Sequence, residues 1–176
     1  MLEPITPARA LELLEDLGAS PWLVRHHELV LEAATILCDR LRRDLDLAFD
    51  REQVLVGAAL HDAGKIVHPA EMHQAGNEHE FAGERLLVEN GVPATIARFC
   101  VTHASWVRPN IVLEDLLVAL ADKLWKGKRA DDLEHTLAET IARDTKREVW
   151  AVFGALDAIC DEISADGPAR LARAAV

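Results

Sequence analysis

The sequence predicts an all-α protein, a compact bundle of several helices. Ala and Leu dominate, Gly and Pro number only nine and seven in 176 residues, and β-branched alternation is hard to find. Apolar residues recur instead at helical spacing, in segments bounded by recognisable caps.

Thr6-Pro7 supplies an N-cap and a first-turn proline, and Gly18 closes the short amphipathic helix that follows. Ser20-Pro21 repeats the signal ahead of WLVRHHELVLEAATILCDRLRR. Asp50 and Gln53 read as a capping box for a helix ending at LHDAG, and residues 64–77, with Pro69 and Gly76, read as a loop. Asn77 and Glu80 form a second capping-box pattern. Gly91 ends that helix, and Pro93 begins another reaching about His103. A helix over about 114–126 and a long one over about 130–164 follow, with a helical turn or two after Gly167-Pro168. No repeat, low-complexity tract or long linker intervenes. Residues 1–176 therefore read as one domain, with a core at about 22–129 and C-terminal helices at about 130–176.

Thirty acidic against 19 basic residues give a net charge of -11. That speaks against a duplex nucleic-acid partner or an anionic membrane, each of which needs a basic face. It leaves room for a small phosphorylated substrate, because a metal site supplies positive charge locally. Cys38, Cys100 and Cys160 are odd in number and widely spaced, which fits a reducing compartment and a role as small core residues. No segment approaches the ~20 apolar residues of a membrane span, and no basic-then-apolar leader opens the chain. The expectation is a cytoplasmic protein.

Candidate chemistry concentrates at a few histidines and carboxylates. His26 shares a helical stripe with Val30, Ala33 and Leu37 and so points inward, whereas His27 is rotated toward the stripe's edge. His61-Asp62 closes the apolar run VLVGAALHD, where a carboxylate must be paired, protonated or metal-bound. A helix C-terminus also favours a cation over an anion, and a metal ion held by both side chains resolves that conflict. Asp122 lies on one helical face with Val118 and Trp125, with Lys126 as its only basic neighbour at helical spacing. His79 sits in a first helical turn and His103 ends IARFCVTH. Imidazole and carboxylate without thiolate suit Mn, Fe, Co, Ni, Zn or Mg and argue against a structural zinc site.

The order His26, His61-Asp62, Asp122 resembles the H…HD…D signature of the HD-domain superfamily of metal-dependent phosphohydrolases. The contexts RHHELV, AALHDAGK and ALADKLWKGK match it as well. HEFAGERLL, headed by His79, and Thr102-His103 resemble the additional ligands of members with a dinuclear centre. The resemblance spans about residues 22–129 and implies a phosphohydrolase holding one or two divalent ions. Its ligands would be His26, His61, Asp62, His79, His103 and Asp122, with Asp62 bridging. It further implies hydrolysis of a phosphate ester, of a nucleotide or another small metabolite, through metal-activated hydroxide. The chain lacks the GYP tripeptide and the paired HH of cyclic-dinucleotide phosphodiesterases, since Ala104 follows His103.

Lys65, three residues beyond Asp62, is placed to meet a phosphate or leaving group and joins Asp62 as a catalytic candidate. Lys123, Lys126, Lys128 and Arg129 form a dense basic cluster, from which Lys128 and Arg129 are candidate substrate contacts at the pocket rim. His68 and His73 read as solvated loop residues. Apolar faces between Ala151 and Ile163 serve either a homodimer or internal packing. The competing functions are a non-catalytic metal- or nucleotide-binding regulatory module and an HD-type diiron oxygenase.

Overall fold

The computed structural model describes residues 5–175. Its helices are α1 (Pro7–Asp16), α2 (Pro21–Leu45), α3 (Arg51–Leu60), α4 (Glu78–Glu89), α5 (Ala94–Ala97), α6 (Phe99–Thr102), α7 (Leu113–Leu124), α8 (Asp131–Thr145), α9 (Val149–Ala165) and α10 (Gly167–Ala174). No strand occurs among the described residues. The caps explain the starts. Thr6, Ser20 and Asp50 side chains accept from the backbone N–H of Arg9, Leu23 and Gln53, satisfying donors that a helix start leaves unpaired.

Helix α2 is the spine. It packs against α1, α3, α7, α9 and α10, and its stripe Val30, Ala33, Leu37 and Leu41 is wholly buried. Helices α3 and α7 are buried on nearly every side because both lie inside the bundle. Cys38, Cys100 and Cys160 are buried and unpaired. No described helix is long and apolar enough to cross a membrane.

Four local expectations are corrected. The expected long helix over 130–164 is two helices, because Lys146 turns left-handed at φ 55° and sends α9 back along α8. Neither Gly nor Pro marks that turn. The helix expected from Pro93 to His103 breaks into α5 and α6 around Arg98. Of the two capping boxes, the one at Asp50 lacks its reciprocal half and the one at Asn77 lacks both. The Asp50 N–H donates to Glu114 of α7 at 2.9 Å, and the N–H groups of Glu78 and His79 donate to Glu71 rather than to Asn77. The tail is a full helix docked on α2, where buried Arg170 donates to Glu32 at 2.9 Å and to the Ile163 carbonyl at 2.7 Å. On α9, Val152, Leu156, Ile159 and Ile163 face the core, while Trp150 is 77% exposed.

Arg129 fastens the α8–α9 hairpin. Its guanidinium holds buried Glu134 at 2.6 Å and Asp157 at 2.6 Å, and also reaches Asp161. Burial alone would raise the Glu134 carboxyl, but Arg129 and the Ala130 N–H overcome it and hold it below the usual range. A depressed folded value means that the stabilisation is present above the ordinary glutamate pKa and fades as pH falls through the folded one. Arg129→Ala is expected to cost about 2–3 kcal/mol at neutral pH, toward the low end for a buried pair because the arginine is partly exposed. Urea midpoints at pH 7 and in acid check this, with the penalty shrinking on acidification.

Candidate metal centre

The site forms where the end of α3 meets α2, α4, α6 and α7. Helix α3 ends at Leu60, His61 caps it, and Asp62 adopts φ -107° and ψ 17°, in the bridge region between helix and strand conformations. The next residues, Ala63–Ile66, make a 3-10 turn that packs directly on α4. Backbone meets backbone there, since a Cβ on Gly83 would lie 2.7 Å from the Gly64 nitrogen, and one on Gly64 would strike the His79 carbonyl. This glycine-on-glycine contact carries His79 to Asp62. Gly57 similarly admits the Phe99 ring, where a Cβ would sit 2.5 Å away, and so seats the segment that ends in His103.

All six candidate ligands are buried, Asp62 to 2% exposure, and they meet at one place. Asp62 divides them. Its Oδ2 faces His26 Nε2 at 3.2 Å and His61 Nε2 at 3.6 Å, and Asp122 Oδ1 stands 3.6 Å from that same His61 nitrogen. Its Oδ1 faces His79 Nε2 at 3.2 Å and His103 Nε2 at 3.5 Å. Ligands about 2.0–2.2 Å from one ion stand roughly 3.0–3.5 Å from each other, so both groups have the spacing of a shared cation. Two overlapping donor sets, His26-His61-Asp62 and Asp62-His79-His103, follow.

The ring orientations agree. His61 Nδ1 donates to the Ala58 carbonyl at 2.9 Å and His103 Nδ1 to the Phe99 carbonyl at 3.0 Å, which leaves each Nε2 lone pair facing the centre. His79 Nδ1 donates to the Glu71 carboxylate. Asp62 Oδ1 and His79 Nε2 are buried without a hydrogen-bond partner, the condition a cation between them would relieve. Burial pushes His103 down to about 4 and lowers His26, keeping both imidazoles neutral. Burial opposes ionisation of Asp62 and Asp122 too. Positive charge shared among the surrounding histidines, with lysines at Asp122, outweighs it and holds both carboxyls well below the usual range, and a bound cation would supply that charge with the imidazoles neutral. Neutral imidazoles and ionised carboxylates are the metal-binding forms. The donor set fits a divalent ion.

A sequence model of the family described as HD domain matches residues 23–125. The chain belongs to the HD-domain family. The match encloses every candidate ligand, and the family is one of metal-dependent phosphohydrolases. No curated protein and no solved structure matches the chain.

This HD domain also places residues that spacing left undecided. Lys65 lies against the centre, its Nζ 2.6 Å from Asp62 Oδ2. Of the expected rim contacts, Lys128 is exposed and Arg129 is committed to the α8–α9 acids. Lys123 and Lys126 reach Asp122 at 2.8 and 3.5 Å. His27 is buried and faces the Ala58 carbonyl at 3.2 Å, outside the ligand sets. His73 is exposed, and His68 stands 3.6 Å from Glu78. Trp106 packs on the core.

Sequence reasoning missed Trp22 and Glu71. The Trp22 ring stacks on His26 at 5.9 Å and 6°, a contact that their i,i+4 spacing on α2 could have signalled. Glu71 precedes His79 by eight residues, in the short 3-10 turn Pro69–Met72 outside α4, so no helical periodicity relates the two. Gly64→Ala is expected to cost about 3 kcal/mol, since the new Cβ meets backbone that cannot yield. Denaturant midpoints should show the loss, and a near-neutral result would contradict the close approach.

Proposed function

We propose that the protein hydrolyses a phosphate ester of a nucleotide or another small phosphorylated metabolite. His26, His61, Asp62 and Asp122 would hold one divalent ion, and Asp62, His79 and His103 a second. The observation that carries this reading is the lysine trio Lys65, Lys123 and Lys126, partly buried around the two site carboxylates. In a chain of net charge -11, ammonium groups gathered around one centre make a local positive field suited to an anionic substrate.

Bound divalent metal would supply Lewis acidity and lower the pKa of water, the chemistry phosphate-ester hydrolysis needs at neutral pH. The protein's own groups do the rest. Asp62 and Asp122 hold their lysines within hydrogen-bond reach, so the ammonium groups are in place before substrate arrives. Lys65 would then stabilise charge developing on the phosphoryl oxygens, being oriented beforehand rather than recruited from solvent. The α2, α3 and α7 core leaves the ligand rings no freedom to turn away, since His61 is fully buried and His26 is walled by Trp22 and Trp125.

The test is metal analysis of the purified protein, then a phosphatase and nucleotide panel with Mn, Fe, Co, Ni, Zn and Mg. Asp62→Asn is expected to abolish both metal retention and turnover. Lys65→Ala is expected to lower kcat on the order of 100-fold with metal content unchanged. Tight nucleotide binding without turnover under every metal would favour a regulatory module, and oxygen-dependent product formation would favour an oxygenase.

A further inference from the structure

The orienting contacts of the ligand histidines are not alike. His61 and His103 are held by carbonyls three and four residues earlier in their own segments, so each ring is fixed by its own backbone. His79 is held by a side chain from elsewhere. Its Nδ1 meets Glu71, which lies in the 3-10 turn Pro69–Met72, outside α4. The same carboxylate accepts the His79 N–H at 3.1 Å and the Glu78 N–H at 3.2 Å, taking the place of the N-cap that Asn77 does not supply. One carboxylate therefore sets both the start of α4 and the plane of the His79 ring.

The approach is close because of Gly76. A Cβ built there would collide with the Glu71 carboxylate, and no other residue stands nearer. Gly76 is not among the glycines with positive φ, so its lack of a side chain, and not its backbone freedom, is what the position uses. The loop brings its one bare position to the point where Glu71 must lie flat on His79.

Charge is also unequal between the two halves. The first has Asp122 in addition to its share of Asp62. The second has one Asp62 oxygen and two imidazoles, so its additional negative charge comes from Glu71, one bond beyond His79. A carboxylate on the far nitrogen of a ligand imidazole fixes its tautomer and strengthens it as a donor.

The geometry points to Glu71 as a positioning residue that selectively sets affinity for a divalent ion in the Asp62-His79-His103 half, with Gly76 as the position that admits it. This rests on the two-ion reading above. In the first half His61 is oriented by backbone, His26 by the Trp22 and Trp125 rings, and charge comes from Asp122, so no loop carboxylate orients a ligand there.

The experiment is titration of the metal-free full chain with Mn2+ alone, counting bound ions and following the electron-spin coupling of paired Mn2+. Wild type, Glu71→Gln and Gly76→Ala are compared. Gln keeps an oxygen to cap α4 but removes the charge, and Gly76→Ala pushes the carboxylate aside without altering it or any ligand. Wild type is expected to take two ions. Both variants should keep the first at unchanged affinity, bind the second about 10- to 100-fold more weakly, and lose the coupled signal at limiting metal. Melting temperatures identify a merely structural effect, which would lower stability without separating the two affinities. Two ions at wild-type affinity in either folded variant, or equal weakening of both ions, would overturn the role of Glu71. A wild type that binds fewer than two ions would instead overturn the two-ion reading and the inference with it.

Discussion

A carboxylate taken out of water must be compensated, and Asp62 is the carboxylate around which this fold is arranged. It is 2% exposed, at the end of α3, where the last backbone carbonyls add unfavourable negative potential. Desolvation of an ion costs several kcal/mol even in a relaxed protein interior. The surroundings answer with imidazoles on both oxygens and the Lys65 ammonium at 2.6 Å. Because each oxygen faces a different pair of histidines, this one side chain divides the centre into halves and joins them.

Much of the packing serves that convergence. Gly57 lets Phe99 approach α3, and Gly64 and Gly83 let the turn after Asp62 lie directly on α4. Helix α2 contributes His26 from the same buried stripe that forms the spine of the core, so the ring is packed between Trp22 and Trp125 above the aliphatic side chains. The C-terminal elements act at a distance. Arg129 and Arg170 fasten α8, α9 and α10, and α9 and α10 back the spine helix. Rigidity in the supporting helices holds donor atoms at 3.2–3.6 Å spacing before any ion binds.

Charge is distributed by the same logic. The chain carries -11 overall, yet Lys65, Lys123 and Lys126 turn toward the buried carboxylates instead of spreading over the acidic surface. Membership of the HD-domain family accounts for the order of the candidate ligands along the chain. Glu71 stands apart because it reaches the centre from a loop. It links the geometry of residues 69–77 directly to the His79 half of the site.

Helix identity, most helix starts and the inward placement of the candidate ligands His26, His61, Asp62 and Asp122 were legible because they rest on local rules. Caps act within four residues, a helical stripe repeats by short fixed spacings, and an acid inside an apolar helix is conspicuous wherever it folds. Lys146's left-handed turn was not legible, since no glycine or proline marks it and the packing of α9 on α8 stabilises it. The same holds for the reach of Glu114 to Asp50, the commitment of Arg129 to the hairpin acids, and the approach of Glu71 to His79. By itself the sequence determined which side chains are available for chemistry and which helices carry them. Only tertiary structure decided which of these meet, because the contacts joining residues remote in the chain depend on helix packing and have no period to read.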